Sequence, residues 1–227
     1  MSSNSIDRKC WVILVLAVVC GPAFAAPMSF LPVSESHVVD SDGNGTFESI
    51  FDDPAFALSI VRFDSTLEDR TVIEYDLSSI PAGSVVSGAR LDFRITAAPL
   101  AGSGEVSIGG YAGNGTIELT DATNPVQPLG SYDAMALGLG ATTVNLDPSF
   151  FETQLLSTDL IGLRLQAAVD QVNTSISQST PAPTLVLDVS AIPEPTPIGF
   201  GIILLMFRCA GRRRSSTAIG GTAADAR

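Results

Sequence analysis

Apolar side chains recur at every second position through the middle of this chain, and that period restricts it to β-structure. From Ala89 to Thr96, Leu91, Phe93 and Ile95 share one face, while Arg90, Asp92, Arg94 and Thr96 share the other. Thr71, Ile73, Tyr75 and Leu77 alternate in the same way, as do Ile161, Leu163 and Leu165, and Leu185, Leu187 and Val189. A polar outer face belongs to antiparallel sheets, because parallel strands covered on both sides read as continuous apolar runs. Pro81-Ala82-Gly83, Gly102-Ser103-Gly104, Gly109-Gly110, Asn114-Gly115 and Pro181-Ala182-Pro183 supply the turns. One helix is predicted, Pro148 to Leu156, where Asp147 caps the free amides and Pro148 suits the first turn. The expected fold is all-β: an antiparallel two-sheet β-sandwich, jelly-roll-like, with one short helix.

Charge narrows the partners. Between Ala26 and Pro195 five arginines and no lysine face 22 acidic residues, a balance of −17. Such a surface repels phosphates, which argues against nucleic acid and favours calcium or a saline exterior. Cys10, Cys20 and Cys209 all lie in the end segments, so residues 26–190 are expected to fold without a disulfide.

The two ends carry targeting signals. Arg8 and Lys9 precede an apolar run, Trp11 to Val19, and the small-x-small triplet Ala23-Phe24-Ala25 follows Gly21 and Pro22. That is the layout of a secretory signal peptide over residues 1–25, cut by signal peptidase after Ala25. Nine apolar residues span roughly 14 Å as helix, about half of a hydrocarbon core, so a permanent span is the weaker reading.

Near the other end, Pro193-Glu194-Pro195 is followed by the apolar stretch Ile198 to Phe207 and then by Arg212, Arg213 and Arg214. The positive-inside rule keeps this arginine cluster cytoplasmic and leaves the preceding chain outside. In that order the elements of residues 191–214 resemble the PEP-CTERM sorting signal of Gram-negative bacteria. The resemblance implies transient insertion in the inner membrane, recognition by an exosortase, and release to the cell surface or extracellular matrix. Residues 215–227 would form a disordered cytoplasmic tail.

A second resemblance lies within residues 26–190. The segment from Arg70 to Leu91, with Tyr75-Asp76-Leu77-Ser78-Ser79-Ile80-Pro81-Ala82-Gly83 at its centre, is similar to DNRLRE-type domains, relatives of the carbohydrate-binding modules of family 96. Val144-Asn145-Leu146-Asp147, Leu163-Arg164-Leu165 and Pro183-Thr184-Leu185-Val186-Leu187 follow in the same order. The resemblance implies a β-sandwich module of surface and polysaccharide-associated proteins, some of which bind acidic glycans. Its expected partner is extracellular polysaccharide, with no ligand-contacting residue carried over.

Candidate chemistry is sparse. Asp40-Ser41-Asp42-Gly43-Asn44-Gly45-Thr46-Phe47-Glu48 places oxygen ligands at alternating positions around glycines, as calcium loops do, and makes Asp40, Asp42, Asn44 and Glu48 the predicted Ca2+ ligands. Phe51 stands where an EF-hand would carry its bidentate glutamate. No catalytic residue is assigned. His37 is the one histidine in the sequence, which argues against His-based triads and multi-His metal sites, and it is expected as an ordinary polar residue on a strand. The pairs Asp52-Asp53 and Glu68-Asp69 keep a carboxylate-based polysaccharide-degrading enzyme open as the alternative to a structural or binding module. Of the tyrosines, Tyr75 is predicted in the core and Tyr111 accessible as a sugar platform.

Overall fold

The computed structural model describes residues 25–51, 53, 57–64, 66–98, 104–178 and 181–190. Ala23, the Pro193-Glu194-Pro195 motif, the arginines 212–214 and the tail 215–227 lie outside the described residues, as does Asp52. The described residues fall within one compact unit, Pro22–Ile192.

The strands are β1 (Ala26–Phe30), β2 (Pro32–Asp40), β3 (Ser49–Phe51), β4 (Leu58–Phe63), β5 (Leu67–Asp76), β6 (Val85–Ala97), β7 (Glu105–Ala112), β8 (Gln127–Asp133), β9 (Gly140–Leu146), β10 (Leu160–Ala167), β11 (Val172–Ile176) and β12 (Thr184–Ser190). Two short helices, α1 (Ala134–Leu137) and α2 (Pro148–Gln154), lie between strands. Every strand pair is antiparallel. The fold is all-β, as the alternating pattern requires.

The two expected layers are halves of one curled sheet. Its path runs β1-β12-β6-β11-β4-β5-β10-β7-β8, with β9 on the other edge of β6 and β2 and then β3 beyond β5. The join arises because β6 has 13 residues and β12 only 7. Past Asp92, the last partner of β12, the free edge of β6 takes up β11 through Ile95↔Ile176 and Ala97↔Ser175. β11 hands over to β4, and β4 to β5 through Val61↔Asp69. On the opposite side the Asp147 amide donates to the Leu129 carbonyl at 2.9 Å, which brings β8 and β9 together.

The core fills the inside of the curl. Leu91, Phe93 and Ile95 of β6 meet Leu185, Leu187 and Val189 of β12, Ile73 and Tyr75 of β5, and Ile161, Leu163 and Leu165 of β10, all buried. These are the residues that the period of two put on one face. Fully burying a side chain of this size contributes about 1.5–3 kcal/mol, so the core can hold without a cross-link. The Tyr75 hydroxyl donates to the Pro183 carbonyl at 3.0 Å and ties β5 to the entry of β12.

Helix α2 caps one end of the core with Phe150 and Phe151, both buried. The Asp147 carboxylate accepts from the Ser149 amide at 3.0 Å and Pro148 occupies the first turn, the capping that the sequence predicts. Gly110 gives Phe150 its place: a Cβ there would lie 2.6 Å from the ring.

Candidate functional site

Three regions concentrate polar chemistry. The first is the acidic loop between β2 and β3. Asp40, Asp42 and Glu48 each offer a carboxylate oxygen, and these atoms lie within 4.8 Å of one another. Gly43 and Gly45, at φ of 68° and 87°, allow the chain to turn this tightly. Asp40, buried at the end of β2, accepts from the Asn44 amide at 3.1 Å and the Gly45 amide at 2.6 Å. Glu48 accepts from the Ser41 amide at 3.0 Å. Asn44 is used inside the loop instead: its Oδ1 accepts from the Thr46 amide at 2.7 Å and its Nδ2 donates to Asp42 at 2.9 Å. Three of the four predicted calcium ligands, the carboxylates, therefore converge.

The second region lies on the face of β5 opposite the main core. Val38, Val72, Tyr111 and Ala122 form a smaller apolar cluster there with Phe47, under the segment 113–126. Glu74 is buried among them and accepts from the Tyr111 hydroxyl at 3.2 Å, the Gly115 amide at 2.5 Å and the Asn114 amide at 3.3 Å. Burial pushes its carboxyl above the ordinary value, and these three donors pull it partly back. Arg164 donates from Nη1 to the carbonyls of Asp121 (3.2 Å), Ala122 (2.8 Å) and Asn124 (2.8 Å), and Arg70 also reaches the Ala122 carbonyl. Burial first, and then the neighbouring Arg70, lower the Arg164 guanidinium to about 10. Apart from the Tyr111 hydroxyl, which ties β7 to β5, these contacts fasten the 113–126 segment to the sheet. Tyr111 is thus not the accessible platform expected: it is 6% exposed, held by Glu74 and lodged where Gly162, its partner across β7 and β10, carries no side chain.

The third region is a groove of about 390 Å³ between the β5–β2–β3 flank and the β4–β11 pair, where β4 peels away from β5. His37, Phe51, Ser59, Asp69, Asn173 and Ser175 line it. His37 lies opposite Phe51 in the β2–β3 pair, and their rings stack at 5.1 Å with 2° between planes. Phe51 is 51% exposed. Asp69, 9% exposed, is pushed above the usual carboxylate range by burial, against the Ser59 hydroxyl bonded to it and the His37 ring nearby. Burial lowers His37, and Asp69 opposes the shift. Among the described residues, His37 Nδ1 and Asp69 Oδ1 are buried atoms with no hydrogen-bond partner.

Although His, Asp and Ser meet here, their connection is not that of a nucleophilic triad. Ser59 acts on Asp69, whereas an activated serine must give its proton to the histidine, whose Nδ1 has no hydrogen-bond partner. Glu68 and Asp69, adjacent on β5, face opposite sides of the sheet, and Glu68 instead pairs with Arg70 at 2.7 Å. The groove escapes sequence reading because its residues come from five strands, one of them more than a hundred residues after the others; the one available signal was a histidine with no other role.

Comparison with known protein families and with curated proteins finds no match to this chain. The functional reading therefore rests on the geometry above and on the sequence signals.

Proposed function

We propose that this protein is an exported binding module of the cell surface or extracellular matrix that contacts extracellular polysaccharide. The supporting observation is the placement of its ends relative to its groove. Ala26 pairs with Val189, and Ser190 with Val85 at the start of β6, so the segments before β1 and after β12 leave the same end of the sheet. The groove is reached from the other end of β6, where Ala97 pairs with Ser175. Twelve residues of strand, about 40 Å, separate Val85 from Ala97. A domain tethered by its ends would hold the groove away from the membrane. Signal peptidase acting after Ala25 and an exosortase acting at Pro193-Glu194-Pro195 fit that arrangement. The test is retention and turnover on a panel of polysaccharides. Retention without release of reducing ends is expected, whereas turnover abolished by one Asp or Glu substitution would make the protein a carboxylate-based enzyme.

A second reading concerns calcium. We propose that the Asp40, Asp42 and Glu48 carboxylates bind Ca2+ to brace the β2–β3 loop, on the ground that their oxygens converge within 4.8 Å. Calcium titration followed by melting temperature tests it.

A further inference from the structure

We infer that the groove bounded by His37, Phe51, Ser59, Asp69, Asn173 and Ser175 is the glycan site of this module and takes neutral, hydroxyl-rich sugar units rather than uronates. The inference rests on the binding function proposed above and assigns that function a place and a ligand class. Four features of the groove carry it.

Its volume, about 390 Å³, lies within the range of small-molecule sites, roughly 300–1,000 Å³. The half-exposed Phe51 ring offers an apolar face, and His37 stacked on it fixes its orientation. The C–H face of a pyranose matches such a ring, since it is the apolar side of an otherwise polar molecule.

Two unpartnered atoms suit a ligand that both donates and accepts. A buried donor or acceptor left unmatched is costly, and His37 Nδ1 and Asp69 Oδ1 are in that condition on two residues that line the groove. A hydroxyl donates once and accepts twice, so one hydroxyl can give its proton to Asp69 and accept from His37. A hydroxyl can match either tautomer of His37, whereas a carboxylate can only accept and an ammonium can only donate. Asn173 and Ser175 on the opposite wall add an amide and a hydroxyl suited to further sugar oxygens.

Electrostatics points the same way. No lysine or arginine is among the described residues of the groove wall, and the domain around it stands at −17. An anionic chain would approach against repulsion and find no cation to pair with.

The processed protein should be run by affinity electrophoresis through gels containing a neutral β-glucan, a galactomannan, alginate or polygalacturonate, alongside Phe51→Ala and Asn173→Ala. Both positions are exposed, so melting temperatures should stay at the wild-type value. At least one neutral polymer should retard the wild type, and each substitution should weaken that retention by about tenfold or more. Stronger retention by the uronate polymers would overturn the ligand class. Retention unchanged by both substitutions would overturn the groove while leaving the binding module intact. Failure of every polymer to retard the protein would overturn the module reading itself, and the site with it.

Discussion

Ala26 stands directly opposite Val189 in the β1–β12 pair, so the first residue after the predicted cleavage site is paired with the strand that precedes Pro193-Glu194-Pro195. β1 covers the outer edge of β12, an edge that would otherwise be open to pairing with another chain. The mature protein should begin at Ala26, which intact-mass measurement checks; a retained Met1 contradicts the signal peptide. Phe30, at the end of β1, is 6% exposed and belongs to the core. Phe30→Ala should cost about 3–5 kcal/mol in urea unfolding and loosen β1 from the edge.

Calcium should raise the melting temperature by stabilising the folded form alone. At a free concentration 100 times Kd the gain is about 2.7 kcal/mol. Asp42 is exposed and bonds only within its own loop, so Asp42→Ala should abolish the calcium increment and change the metal-free melting point little. Asp40 differs, because its buried carboxylate holds two backbone amides; Asp40→Ala should lower stability even without metal. Magnesium at matched ionic strength controls for screening among the acids. Equal shifts with both ions leave the loop as a turn.

The distribution of what was legible follows the range of the forces involved. Alternation is local, so Leu91, Phe93 and Ile95 could be assigned to the core from sequence, and Asp147-Pro148 announces α2 within two residues. β5 was only half read. Ile73 and Tyr75 are buried as expected, but Val72 and Glu74 on the other face are buried too. A polar residue at that position reads as solvent-facing until the segment some forty residues later is seen to lie across it. Tyr111 failed for the same reason, and the nearness of His37 to Asp69 depends on register between strands. The convergence of Asp40, Asp42 and Glu48 in the β2–β3 loop was readable because the chain between them is short.

Arg164 should prove a structural residue, not a ligand-binding one. It is 6% exposed and supplies hydrogen bonds to three carbonyls at the turn Leu119–Ala122 and just beyond. Arg164→Met keeps the stem and removes those donors. The expected loss is about 3 kcal/mol, with faster amide exchange confined first to residues 113–126. Protection of that segment equal to wild type would show that the apolar cluster alone holds it.

Glu74 gives the domain a pH dependence whose sign is fixed. Burial raises its folded-state value above the ordinary 4.5, so between the two values the folded protein holds more proton than the unfolded chain. Stability from this group is therefore fully present below the unfolded value and is lost as pH rises through the folded one. Asp69 and Asp121, also raised by burial, act in the same direction. His37 acts oppositely: its value is lowered from 6.5, so its contribution is lost as pH falls through 6.5. Comparing wild type with Glu74→Gln isolates the first group. The glutamine carbonyl can accept from the Asn114 and Gly115 amides while its amide donates to the Tyr111 oxygen, imitating the protonated acid. The variant should match or exceed wild type in urea midpoint at pH 7.5, and the difference between them should shrink as pH falls toward 4.5. Glu74→Ala, which leaves the same donors dry, should lose about 1–3 kcal/mol per unmatched group at every pH. A wild-type advantage over the glutamine variant that grows with rising pH would show that the ionised carboxylate, not the protonated acid, is the form the fold favours.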